Sequence, residues 1–267
     1  MDRFRTLGWN IDALTSPAKA RMHGIPDAVR SIRYPFRLLR YWFTHELLVE
    51  EARRRQGTPM TVAEIGIDSG QMLAFSRETL AWRGHPLPWQ QWHGLDCSPP
   101  TDGLRRTGYD RLVQLDVEDA AQMAEHQAEG YDVIVLQHVV EHLFEPERAL
   151  ATIATWLRPG GVIIGGSPGT PEFARGYWQQ KLRRSARPRG HVSVISSALL
   201  QRWARDLGLQ TELLSGAFFM RKKGFVLENS AWWLRANLAF GAMFPGWPGE
   251  LYWAWRKPAA AASATAR

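Results

Sequence analysis

Three acids stand at matching places in this sequence. Glu64 lies in TVAEIGIDSG (61–70), Asp96 in HGLDCSP (93–99) and Asp116 in QLDVED (114–119). Each sits in or at the end of a short run of strand character. Beyond Glu64 the chain breaks into Gly66, Asp68 and Gly70, and the helix-like QMLAFSRETLAW begins at once. Strand, glycine turn and helix form the layout of a nucleotide-binding corner. The glycines allow a tight turn and close backbone approach, and the helix start presents unpaired N–H groups. In an open α/β sheet the ligand lies across the carboxyl ends of the strands. An acid ending the second strand can accept from both hydroxyls of a ribose. An acid ending the third can accept from an exocyclic amine such as that of adenine. Each acid alone is as readily a turn former, but three together beside a glycine turn indicate a nucleoside-bearing ligand.

Three histidines add proton chemistry, since imidazole changes charge near neutral pH. His138 follows the apolar run YDVIVLQ (131–137), His142 lies four residues on, and His191 falls in RPRGHVSVIS (187–196). HVVEH (138–142) also has the H-x-x-E-H spacing of a zinc pattern. That pattern needs a helix and a remote third ligand, whereas here it follows directly on a buried strand. No metal is therefore assigned from the sequence.

These residues need a frame. From residue 60 onward strand and helix patterns alternate: TVAEIG, then 71–82 helical; 89–95, strand; 112–115, strand; 120–128, helical; 131–137, a continuous apolar run as in a buried parallel strand; 145–157, helical, closed by RPGG; then VIIGGS. This order predicts an α/β fold, a doubly wound, Rossmann-like, seven-stranded, mostly parallel sheet with helices on both faces. Residues 168–190 hold Arg175, Lys181, Arg183, Arg184, Arg187 and Arg189 with three prolines, and read as a lid or substrate loop. Residues 193–207 read as a helix, with Ser196 or Ser197 as N-cap. Residues 209–214 and 218–227 read as a final hairpin-like pair of strands. Before the sheet, Phe36, Leu39, Trp42, Phe43, Leu47 and Leu48 recur at helical spacing, with Arg30, Arg33, Arg37 and Arg40 as a solvated basic side. The predicted organisation is an N-terminal helical extension (1–58), a ligand-binding domain (59–228), a Trp-rich extension (229–257) and a low-complexity tail (258–267).

The segments resemble class I S-adenosylmethionine-dependent methyltransferases, of the broad group acting on small molecules, lipids and sugars. VAEIGIDSG matches the family's acid-x-Gly-x-Gly-x-Gly turn, with Asp68 in place of the middle glycine. GLDCSP and LDVED match the ends of its second and third strands. YDVIVLQHVVEHLFEPERAL with WLRPGGVIIGGSP matches its fourth strand, helix and fifth strand, and the likeness spans about residues 60–215. The resemblance implies S-adenosyl-L-methionine as cofactor. Glu64, Gly66, Asp68 and Gly70 would shape its turn, Asp96 and Cys97 would meet the ribose, and Asp116 and Val117 the adenine. Gln137 and His138 would line the methionine end. His191 is then the preferred catalytic base at the acceptor's entrance, with His138 and His142 as the other candidates.

The chain has 267 residues, 45% of them hydrophobic, and a formal charge of +7. That length suits one α/β domain with extensions. With one cysteine, Cys97, no intrachain disulfide forms, and a reducing cytoplasmic setting is expected. No apolar run reaches the roughly 18–20 residues of a membrane span. The basic 175–189 stretch suits an anionic acceptor. Trp232, Trp233, Trp247, Trp253 and Trp255 suit either a packed extension or a lipid or sugar surface. The expected acceptor is therefore a small molecule, glycan or lipid-linked group methylated on oxygen, with peripheral contact at the inner membrane surface. No nucleic-acid module is recognisable. Asp tolerates positive φ better than most residues, so Asp68→Gly should leave affinity for S-adenosylmethionine equal or higher by titration calorimetry. A large loss would show that the carboxylate itself touches the ligand.

Overall fold

The computed structural model describes residues 4–15, 35–98, 108–126, 130–185, 190–217, 226–227 and 230–259. Seven strands form one sheet: β1 (Met60–Ile65), β2 (Trp89–Asp96), β3 (Arg111–Gln114), β4 (Tyr131–Gln137), β5 (Leu157–Gly169), β6 (Gln210–Gly216) and β7 (Gly249–Arg256). Their order is β3-β2-β1-β4-β5-β7-β6. The first five are parallel, and β7 runs antiparallel between β5 and β6. The chain moves outward from β1 on one side, then returns to start β4 on the other. The carboxyl ends of β1 and β4 therefore flank the switch point, where such sheets bind ligands.

The helices are α1 (Asp12–Thr15), α2 (Pro35–Arg54), α3 (Gln71–Arg83), α4 (Ala120–Glu125), α5 (Pro146–Thr155), α6 (Glu172–Arg184), α7 (Ser197–Asp206) and α8 (Ala231–Met243). Successive strand residues point to opposite faces, and the sheet is buried on both. Val62, Val133, Ile164 and Tyr252 join one core with Trp42 of α2 and Leu238 of α8. Ala63, Ile134, Ile163 and Trp253 join the other with Leu150 of α5 and Trp203 of α7. Ser196 caps α7, its hydroxyl accepting from the Leu199 N–H, as its sequence position suggests.

Several expectations meet a different outcome in the structure. The last strand is β7, taken from the Trp-rich segment expected to be an extension. Trp253 and Trp255 are fully buried within the sheet's packing, while Trp232 and Trp247 are exposed. The strand expected at 218–227 falls almost wholly outside the described residues, and it is β7 that pairs with β6. Residues 172–184, expected in a loop, form α6, because the prolines flank the segment rather than interrupt it. Pro171 occupies the N-cap, where a missing N–H costs little. The helix before β5 stops at Thr155, and RPGG already belongs to β5. Arg40, expected on a solvated face of α2, instead pairs with Glu250 of β7 at 3.0 Å. Arg30, Arg33 and the side chain of Arg37 lie outside the described residues.

α8 crosses β6 backbone to backbone. A Cβ on Gly241 would sit 2.1 Å from the Gly216 carbonyl oxygen, and backbone atoms cannot step aside as a side chain can. Gly241→Ala should therefore destabilise the fold by about 1–3 kcal/mol in denaturant unfolding. An unchanged midpoint would show that α8 does not pack this closely.

Candidate functional site

A cavity of about 240 Å³ opens at the switch point. Gly66, Asp68 and Gly70 turn the chain out of β1, with φ of 74°, 46° and 74°. Asp68 thus takes the left-handed conformation without being glycine. Its N–H donates to Asp96 Oδ2 at 3.2 Å, and its exposed side chain borders the cavity. Gly66 serves packing as well as approach, since a Cβ there would lie 2.6 Å from Val139 Cγ2.

Glu64 lies behind this turn, 3% exposed. Its Oε2 accepts from Trp92 Nε1 and the Tyr109 hydroxyl, both at 2.9 Å. Burial drives its pKa from 4.5 up to about 8, against the partial relief of those two donors. At neutral pH this carboxyl is protonated, so Glu64 enters the site as a neutral group that can donate.

Asp96 and Asp116 stand along the sheet edge beside the cavity rather than in its wall. Asp96 is half-buried and its Oδ1 accepts from the Ser98 N–H at 2.9 Å. Asp116 is exposed, with Oδ1 accepting from the Glu118 N–H at 2.9 Å. Cys97 is exposed and its thiol is raised by burial and the two nearby aspartates. Val117 is buried and lines a smaller neighbouring cavity. Both carboxylates reach solvent, Asp116 more fully than Asp96.

Gln137 and His138 close the opposite wall. Gln137 Nε2 donates to the Thr44 hydroxyl of α2, and its Oε1, a buried acceptor, has no partner among the described residues. His138 sits at φ 55°. Its Nδ1 lies 2.8 Å from Glu141 Oε1 and its Nε2 3.8 Å from Glu250 Oε2. Burial opposes charge on His138, but the two glutamates outweigh it and raise its pKa. Burial likewise opposes charge on Glu250, yet His138 and Arg40 hold it down at about 2. His142 also borders the cavity. It ends the 3-10 turn Val140–His142 instead of sitting inside a longer helix. His191, the preferred base, is not in the cavity wall. It packs edge-on against His142, ring centroids 4.9 Å apart, and burial with the neighbouring imidazoles lowers its pKa although Glu141 opposes this.

Sequence reasoning missed several wall residues. Arg40 and Tyr41 come from α2, Ile67 and Met72 from the turn and α3, and Glu250 buttresses His138 from β7. Two of these elements had been placed outside the domain. The one available signal was Glu250 itself, an acid standing before the apolar run LYWAW.

Residues 37–214 match a family model described as a methyltransferase domain. The chain belongs to this methyltransferase family. Its fold is that of class I S-adenosylmethionine-dependent methyltransferases, and S-adenosylmethionine is the cofactor. A ubiquinone biosynthesis O-methyltransferase of Xanthomonas axonopodis pv. citri (strain 306) is 29% identical over 114 residues, 40% of this chain. The match spans only 48% of that relative's length. The trans-methyltransferase CalH, solved with S-adenosylhomocysteine, superposes at TM-score 0.54 with 17% identity, over 82% of this chain and 58% of CalH. The [4+2]-cyclase SpnF superposes at 0.50 with 15% identity, over 81% of each chain. These two likenesses concern the fold.

The site fits the cofactor. The orphaned Gln137 Oε1 and the solvent-reaching carboxylates of Asp96 and Asp116 are all acceptors. The ammonium, ribose hydroxyls and adenine amine of the cofactor are all donors.

Glu64 gives a pH signature. From pH 4.5 to about 8 the folded state keeps a proton that the unfolded state has released, so stability falls as pH rises through this window. Gln mimics the protonated carboxyl. Glu64→Gln in the cofactor-free protein should therefore flatten the decline of Tm across the window. Equal slopes in the two proteins would mean Glu64 is ionised in the fold.

Proposed function

We propose that this chain methylates an oxygen of a small, glycan- or lipid-linked acceptor. The carrying observation is the cavity itself. It runs from the Asp68 turn, beside the Asp96 edge, to His138 and His142, so one ligand can span both ends. In this reading Asp96 takes the ribose hydroxyls and Asp116 the adenine amine. Gly66 and Gly70 let the backbone approach, Glu64 holds the turn, and Gln137 Oε1 meets the ammonium. Cys97 and Val117 flank the nucleoside. When bound, S-adenosylmethionine supplies an electrophilic methyl group that passes in line to the acceptor oxygen. His138 is held rigidly by Glu141 and Glu250 and shapes the methyl end. In this reading His142, which borders the cavity, or His191 packed against it draws off the acceptor's proton.

The lipid preference rests on α6. No residue of this helix is buried. It exposes Phe173, Tyr177 and Trp178 beside Lys181, Arg183 and Arg184 in its last turn. Lys181 Nζ lies 4.8 Å from the Trp178 ring centroid. Aromatic and basic side chains on one unburied helix suit an anionic membrane surface or a lipid-linked anion. Among the described residues no helix is long and apolar enough to cross a membrane, so such contact would be peripheral. A second reading is a cofactor-binding interaction protein that transfers nothing. The unusual carboxylate of Asp68 at the turn favours it.

Titration with S-adenosylmethionine and S-adenosylhomocysteine, followed by labelled-methyl transfer to lipid, glycan and RNA acceptors, tests the proposal. Both ligands should bind, Asp96→Ala should weaken both by at least about tenfold, the loss of one charge-assisted hydrogen bond, and label should enter a hydroxyl-bearing lipid or glycan. Binding without transfer to any acceptor supports the interaction reading. Transfer to RNA alone sinks the acceptor class.

A further inference from the structure

Beside the cavity, Glu141, His142 and His191 converge from two segments far apart in sequence. One ligand atom of each lies within 4.8 Å of the other two. This is a different set from the H-x-x-E-H spacing that the sequence offered. The fold brings in His191, the remote third residue, while His138 is turned toward Glu141 and Glu250 instead.

The surroundings are those of a prepared site. The His142 Nδ1 lies 3.1 Å from the Gly190 carbonyl. A carbonyl only accepts, so Nδ1 carries the proton and neutral His142 keeps its Nε2 lone pair free. Metal-binding histidines are commonly oriented through such a second hydrogen bond. The segment bearing His191 is clamped to the turn bearing Glu141. The Val192 and Ser193 N–H groups both donate to the Glu141 carbonyl oxygen, at 2.8 and 3.0 Å, and the Ser193 hydroxyl donates to Leu143 at 2.6 Å. Gln179 of α6 fastens the same segment through Val192 and Val194. The Glu141 carboxylate is 1% exposed. Oε1 faces His138, whereas Oε2 has no hydrogen-bond donor among the described residues. A buried carboxylate oxygen without a partner is costly, and a cation would relieve it.

We infer that Glu141, His142 and His191 bind a divalent first-row cation of the zinc type. Two imidazoles and one carboxylate match the three-ligand sites that leave a fourth position open. Bonds of about 2.1 Å in tetrahedral geometry place ligand atoms about 3.4 Å apart. Rotation of the exposed His191 ring closes the remaining gap. His142 borders the cavity, so the open position is directed to its acceptor end. This role in the reaction, and only this role, rests on the methyl-transfer reading. A hydroxyl bound there would lose its proton to solvent more readily, and His191 would act as a ligand rather than a free base.

Untagged full-length protein, stripped with EDTA, is titrated with zinc chloride by calorimetry and with cobalt chloride by visible absorption, without cofactor. The native chain should bind one ion, raise its Tm on binding and give the absorption of four-coordinate cobalt. His191→Ala changes an exposed side chain and leaves the fold intact. It should weaken binding by at least about tenfold and abolish the Tm rise. Absence of binding, or equal binding by the variant, overturns the site. S-adenosylhomocysteine titration of the same stripped sample separates the two claims, because binding there with no zinc uptake removes the ion and leaves the methyltransferase reading standing.

Discussion

The fold's two sides are joined at one buried carboxylate. Glu250 is 2% exposed, yet it stays charged because Arg40 of α2, the Tyr252 hydroxyl and His138 surround it. His138 in turn faces Glu141. This chain of charges runs from the N-terminal helix, through the last strand, to the exit of β4. Removing one member would strand a buried charge, at about 3–5 kcal/mol. It also fixes His138 in a backbone conformation that few non-glycine residues adopt. The wall of the cavity is therefore set by elements drawn from both ends of the chain.

That dependence explains what the sequence disclosed and what it withheld. The parallel half of the sheet was legible because each strand is bounded by turn residues and followed by a helical pattern. The acids at its edge were legible because their place follows from the topology. The glycine turn was legible as a turn, and Asp68 does take the left-handed conformation expected of it. Strand β7 was not legible. It is buried on both faces, so GELYWAWR shows no alternation, and nothing local tells a central strand from an aromatic surface segment. Arg40 was read as one of a charge run because its partner lies 210 residues away. α6 was hidden by its flanking prolines and its arginines.

The histidines carry the sharpest revision. Sequence spacing grouped His138 with His142. The fold separates their duties: His138 is locked between two glutamates, while His142 turns to Gly190 and meets His191. Glu141 stands between both arrangements, its backbone pinning the His191 segment and its side chain facing His138. Glu64, read as one of the acids shaping the turn, supports it from behind as a buried carboxyl whose pKa burial raises.

In the proposed function, the cavity between the Asp68 turn and His138 holds the cofactor with its sulfur toward the histidines. A crystal structure with S-adenosylhomocysteine tests this most directly. The ribose should lie on Asp96, the adenine amine near Asp116, and the sulfur should face His138 and His142 from within the cavity. Density for the ligand elsewhere, or with the sulfur directed away from these histidines, would contradict the account.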